Sequence, residues 1–350
     1  MFPAFRSSWS ALGYCAVLIA LLVLPIVNSV IGHPPREQAY AGLTEEAGPI
    51  ELHIHELFHD PQNADIVLLG SSLLGAAIDV PTLETELTAR LGRPAHVVVL
   101  AMNWQGLDMQ YYLLRDYLAH HRATLAIWNP PEPGARHLEP HVEAFRWLRF
   151  GEYSDALRGL PIVYRLAIYG DMVLGAPREL LSHFRPNMLD PEKTVPKASS
   201  GETGYYGAPF VPEKLDPRQV PPLELTYETS PYPLVRQAGQ PLNSYEQHFA
   251  TQIVELLETS RTPLALLHIP MDSEYGLAYI PDRSKFEDTV PSTDPLIGVS
   301  SNALFGDMSR TQFRHFYRDQ HFNINGRLRY TNAIMPAILR AFDHARQQSQ

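Results

Sequence analysis

Asp65-Ile66-Val67-Leu68-Leu69-Gly70-Ser71-Ser72-Leu73-Leu74-Gly75 (residues 65–75) decides the fold. Its first half is a short aliphatic run with no polar alternation, the pattern of a strand covered on both faces. Its second half turns at Gly70-Ser71-Ser72 and continues as the start of a helix. A strand that runs straight into a helix in this way is the beginning of a parallel α/β unit.

Three more runs share the aliphatic pattern: His96–Ala101, Thr124–Asn129 and Pro263–Ile269. Helix-like segments lie between or after them, at Pro81–Leu91, Asp108–His121 and Gly326–Gln347. The alternation predicts an α/β fold, a three-layer sandwich with a parallel sheet. The interval 130–262 interrupts it. Leu160–Phe184 reads as a cap helix packed on its own domain, with docking on a membrane surface or a partner as the competing reading. Arg185–Pro241 carries 11 of the 31 prolines and predicts an irregular, extended stretch. The interval is therefore expected to be a helical and Pro-rich insertion.

Ligands of parallel sheets bind beyond the carboxyl ends of the strands. Ser72 stands at the first such end, exposed at a strand-to-helix turn where helix amides favour developing negative charge. Gly-Ser-Ser is also an ordinary N-cap, and Ser71 stands as the fallback nucleophile. Gly106, after the second strand, can offer a backbone amide to an oxyanion, and Asn129 places a side-chain amide at the end of the third. Near the C-terminus, Asp319 and His321 flank one residue ahead of the last helix. A serine needs a base, and the base an orienting carboxylate.

Taken in order, Gly-Ser-Ser-Leu, Asn-x-x-Gly, strand–Asn and Asp-x-His-x-Asn-x-x-Gly resemble the four blocks of the SGNH/GDSL hydrolase superfamily, over residues 60–130 and 260–345. The resemblance implies Ser72 as nucleophile and His321 as base, with Asp319 orienting it. It also implies an oxyanion hole from the Ser72 amide, Gly106 and Asn129. Two departures stand out. Ser71 occupies the place where the family usually has Asp, and the Asp–His spacing is one residue short, with Arg318 at the longer spacing. The ending His-Phe-Asn-x-x-Gly and the N-terminal segment look most like the membrane-anchored SGNH proteins that accompany surface-polysaccharide acetylation, the alginate-acetylation type among them. That likeness implies serine-dependent transfer or hydrolysis of acyl esters outside the cytoplasm. It also implies a polysaccharide or acyl-sugar substrate and a membrane-bound acyltransferase partner. The alternative is a non-catalytic carbohydrate-binding or scaffold subunit of such a complex.

The N-terminal segment carries no formal charge between Arg6 and Arg36. Ala11–Gly32 would extend roughly 33 Å as a helix, enough for the ~30 Å hydrocarbon core. A single-pass anchor follows, residues 1–35, with the N-terminus inside and 36–350 periplasmic or extracellular. Cleavage near Ser29–Gly32 is the competing reading.

A net charge of −10 argues against a nucleic-acid partner, because no basic stripe is present to neutralise phosphates. The single cysteine, Cys15, excludes an intramolecular disulfide and a cysteine-rich metal site. His53, His55 and His59 invite a metal reading, and His55 and His59 have the i, i+4 spacing of helical ligands. With no carboxylate-rich partner motif in view, solvated or capping histidines are expected, and neither metal nor cofactor.

Overall fold

The computed structural model describes residues 7–30, 36–41, 50–103, 106–130, 162, 166, 234–235, 242, 244–278, 280–281, 296–306, 308–318 and 320–348. For 21–30, 38–39, 41, 234–235, 244–245 and 280–281 it describes the backbone alone. Leu160–Phe184 and Arg185–Pro241 therefore lie almost wholly outside the described residues. The chain divides into two compact units, Met1–Leu43 with Pro140–Lys197, and Thr44–Glu139 with Ala198–Gln350.

In the first unit, helix α1 spans Ser8–Val30 and α2 spans Arg36–Ala41. Among the described residues no helix is long and apolar enough to cross a membrane. Over the part of α1 with described side chains, Trp9, Leu12, Tyr14, Val17, Leu18 and Ile19 are exposed.

The second unit is α/β. Its elements in chain order begin with α3 (Ile50–Ile54), which runs on as a π-helical turn over His55–His59, then β1 (Ala64–Ser71), α4 (Ser72–Ala77), α5 (Val80–Leu91), β2 (Val97–Met102), α6 (Leu107–His120) and β3 (Ala123–Trp128). After β4 (Leu234–Val235) come α7 (Ser244–Ser260), β5 (Leu264–Leu267), β6 (Ile280–Pro281), β7 (Leu296–Ile297) and α8 (Ser301–Phe305). The chain closes with α9 (Arg310–Arg314), β8 (Tyr317–Arg318), β9 (His321–Phe322) and α10 (Ile324–Gln348).

Five strands form one parallel sheet in the order β2-β1-β3-β5-β7. The chain steps from β1 to one side for β2, then crosses to the other side for β3. The carboxyl ends of β1 and β3 thus flank a topological switch point, where connections leave in opposite directions and open a crevice. The register sets Leu69 beside Trp128, so the residues that follow, Gly70 and Asn129, emerge together at this point.

Both faces of the sheet are covered. Strand side chains alternate, so Ile66 and Leu68 face one way and Val67 and Leu69 the other. The first set joins Leu83 and Leu87 of α5 and Ile334, Ile338 and Phe342 of α10 in a single apolar core. On the other face lies α6, where Gln110 Oε1 accepts the indole N–H of the buried Trp128 at 2.7 Å. Helix α7 packs on α6, with Phe249 against Tyr111 and Tyr112. The expected 130–262 interruption thus overreaches at its C-terminal end. Phe249, Ile253 and Leu257 are buried at helical spacing and build part of this layer.

Local chemistry explains the element ends. Asp79 caps α5 by accepting from Thr82 N at 3.2 Å, with a proline in the first turn. Gly92 ends that helix at φ +67°, a left-handed conformation that glycine adopts without a Cβ penalty. Ser309 and Gln312 form a reciprocal capping box on α9.

Candidate active site

At the switch point, β1 ends against a tight turn. A Cβ at Gly70 would lie 2.7 Å from Leu74 Cδ2 and 3.3 Å from Asn129 Cβ, so only glycine lets α4 fold back here. Ser71 is extended (φ −106°, ψ −167°) and caps α4, its Oγ accepting from Leu73 N at 3.4 Å. The fallback nucleophile is thus occupied as a cap. Ser72 is the first residue of α4, and its hydroxyl turns the other way.

Ser72 Oγ lies 2.8 Å from His321 Nε2, although 249 positions separate the two residues. For the hydroxyl to donate, Nε2 must be unprotonated and the ring hydrogen must sit on Nδ1. Asp319, expected to receive that hydrogen, lies outside the described residues.

What holds His321 in place is legible in its neighbours. It sits in a two-strand antiparallel hairpin in which Arg318 pairs with His321 and Tyr317 with Phe322. Tyr317 donates its hydroxyl to Pro270 O at 3.0 Å, tying the hairpin to the segment after β5. Phe322 packs at a tilt against Tyr317 and Tyr330 with ring centroids 4.7 and 5.3 Å apart. Immediately downstream, Asn323 Oδ1 accepts from Asn325 N and Gly326 N at 3.0 and 3.1 Å and so caps α10. A Cβ at Gly326 would overlap Phe316 O and the Phe322 ring. The Asn-x-x-Gly that follows the histidine therefore positions it: the cap starts α10, and the glycine lets the helix leave against the hairpin. Helix α10 in turn holds α4, with Arg327 Nε donating to Ala76 O at 3.0 Å. One helix thus clamps both partners of the Ser–His pair.

Asn129 is buried at the same edge. Its backbone N–H donates to Leu69 O at 2.8 Å and its Nδ2 to Leu267 O at 2.9 Å. The amide nitrogen carries a second hydrogen besides the one given to Leu267. Gly106 is the buried N-cap of α6 (φ −82°, ψ 174°), so it lies beyond the end of β2 at the positive end of a 14-residue helix. That conformation is open to any residue, and its case rests on placement.

Sequence reasoning missed His268. It follows β5 at the carboxyl edge, and its Nε2 lies 2.9 Å from Oε2 of the buried Glu274. Burial pushes its pKa down to about 4. Its backbone carbonyl accepts the Tyr330 hydroxyl. The available signal was a histidine at the tip of an aliphatic strand. Glu274, in the turn after β5, supplies the carboxylate.

Comparison with family models, with curated proteins and with solved structures yields no match to this chain.

Proposed function

We propose that this chain is a serine-dependent acyl-ester transferase or hydrolase of the SGNH type. The observation that carries the reading is the 2.8 Å contact of Ser72 Oγ with His321 Nε2 at the switch point of the sheet. Ser72 Oγ attacks the acyl carbonyl carbon while its proton passes to Nε2. The resulting oxyanion is held by the amides of Ser72 and Gly106 and by Asn129 Nδ2. Collapse breaks the ester bond, the leaving alkoxide takes the proton back from His321, and the acyl group remains on Ser72. A sugar hydroxyl or water then gives its proton to Nε2 and attacks the acyl carbon; the bond from that carbon to Ser72 Oγ breaks, and Oγ takes the proton back from Nε2.

The reaction is O-acetylation or deacetylation of a surface polysaccharide, and the chain works with a membrane-bound acyltransferase outside the cytoplasm. Resemblance supports this part. The anchor reading rests on the sequence, in which α1 is uncharged over its 23 residues.

The test is turnover of an acetyl ester by the full-length chain in detergent. Loss of turnover in both Ser72→Ala and His321→Ala supports the reading, and undiminished turnover in both rejects it. The one-residue shortening of Asp-x-His favours a second reading, an inert carbohydrate-binding or scaffold subunit. A serine-reactive fluorophosphonate separates the two, because the scaffold would not be labelled.

A further inference from the structure

At the opposite, amino-terminal edge of the sheet, His55, Glu56 and Asp60 gather so that one donor atom from each lies within 4.8 Å of the others. A π turn causes this. Asp60 N donates to His55 O at 2.8 Å, closing a turn one residue wider than an α-helical one. Residues 55 and 60, which an α-helix would set on different faces, thereby come onto one. His96, just ahead of β2, flanks the group from a separate segment. Its Nε2 lies 3.4 Å from Glu56 Oε2 and its Nδ1 4.0 Å from Asp60 Oδ2.

The geometry points to a divalent-cation site of the zinc class built from His55, Glu56 and Asp60. Three features argue for it. An imidazole with two carboxylates suits a borderline ion such as Zn²⁺ better than Mg²⁺ or Ca²⁺, which prefer oxygen alone. Glu56 Oε2 is sealed from solvent, with the imidazole of His96 beside it at 3.4 Å. Finally, the carboxylates are held from behind. Asp60 Oδ1 accepts from Gln62 N at 2.8 Å, and His96, whose backbone is fixed by Asp65, turns Nε2 toward Glu56 and Nδ1 toward Asp60. Outer contacts of this kind set ligand direction in metal sites.

The site is distinct from the Ser–His pair. The eight residues of β1 lie between them, roughly 26 Å of extended chain. An ion here would lock the π turn that leads into β1, bracing the strand that carries Ser72 from its far end. His53 takes no part, since its Nε2 lies 2.8 Å from Ala101 O in the interior. The group is also not the His55/His59 pair of helical spacing.

The experiment is zinc titration of the EDTA-treated full-length chain in detergent, with bound metal measured by equilibrium dialysis and affinity by a chelating dye. One Zn²⁺ per chain is expected. His55→Ala, an exposed position that leaves folding intact, and Asp60→Asn, which keeps the Gln62 contact, should each weaken binding at least tenfold. His59→Ala and Ser72→Ala should bind as the parent does. Absence of stoichiometric zinc, undiminished binding in both ligand variants, loss of binding in His59→Ala, or displacement by an equal concentration of Mg²⁺ overturns the assignment. Activity plays no part in the readout, so failure of the serine chemistry leaves this result standing.

Discussion

Asn129 donates its side-chain amide to the carbonyl of Leu267 across 2.9 Å, so the tip of β3 is fastened to its neighbour β5. The residue expected to hold an oxyanion therefore has a structural duty as well. Asn129→Ala leaves a buried carbonyl without its donor, which costs about 1–3 kcal/mol. If the second amide hydrogen also meets the oxyanion, kcat falls by roughly 10²–10³ with KM nearly constant. Thermal melting together with kcat of the folded fraction separates the two roles. A lowered Tm with unchanged kcat would leave Asn129 as a pin alone.

Ser71 and Ser72 are adjacent but face different partners. Ser72→Ala is expected to abolish fluorophosphonate labelling. Ser71→Ala should keep labelling while losing about 0.5–2 kcal/mol of stability from the missing cap. Labelling that vanishes only in Ser71→Ala would exchange the assignments.

Gly326 has no room for a side chain between Phe316 O and Phe322. Gly326→Ala should displace the hairpin, and with it His321, so that acyl-ester turnover drops by more than the melting temperature alone accounts for. Turnover at the parental rate per folded molecule would show that the hairpin tolerates the shift.

Acid should weaken the fold through His268. Its folded pKa of about 4 lies below the ordinary 6.5, so between these values the unfolded chain holds the proton and the folded chain does not. Stability is therefore complete above about pH 6.5 and declines as pH falls toward 4, by on the order of 3 kcal/mol at most. Urea midpoints across this range check the slope. His268→Gln should flatten it, and an equally steep decline in that variant would move the origin elsewhere, Glu274 being the nearest other group.

Carbonate extraction tests the N-terminal helix. The full-length chain should stay with the membrane pellet at high pH, as an integral protein does. Release into the supernatant would reduce α1 to a peripheral or cleaved segment.

The central strands were legible because Ile66–Leu69 and Val97–Leu100 are aliphatic on both faces, as burial under two helix layers requires. Strand β7 was not, since two residues, Leu296 and Ile297, carry no period. Helix α7 was overlooked beside a proline-rich stretch, although Phe249, Ile253 and Leu257 hold helical spacing. Ser72 and His321 could be read from strand-end placement and motif order. The partnership of His55 with Asp60 could not. It depends on a π turn, which sequence periodicity does not announce, and His96 joins from 36 positions further on than Asp60.

Strand β1 is paired on both sides, whereas the imidazole rides on the final hairpin of the described chain. During synthesis the strand of Ser72 emerges some 249 positions ahead of His321. If Ser72 is the nucleophile proposed above, a nascent chain would carry it without a base, and reactivity would wait until the last helix docks. Ester cleavage would then certify finished folding, and chains stopped before residue 321 should bind no fluorophosphonate even where their sheet has formed.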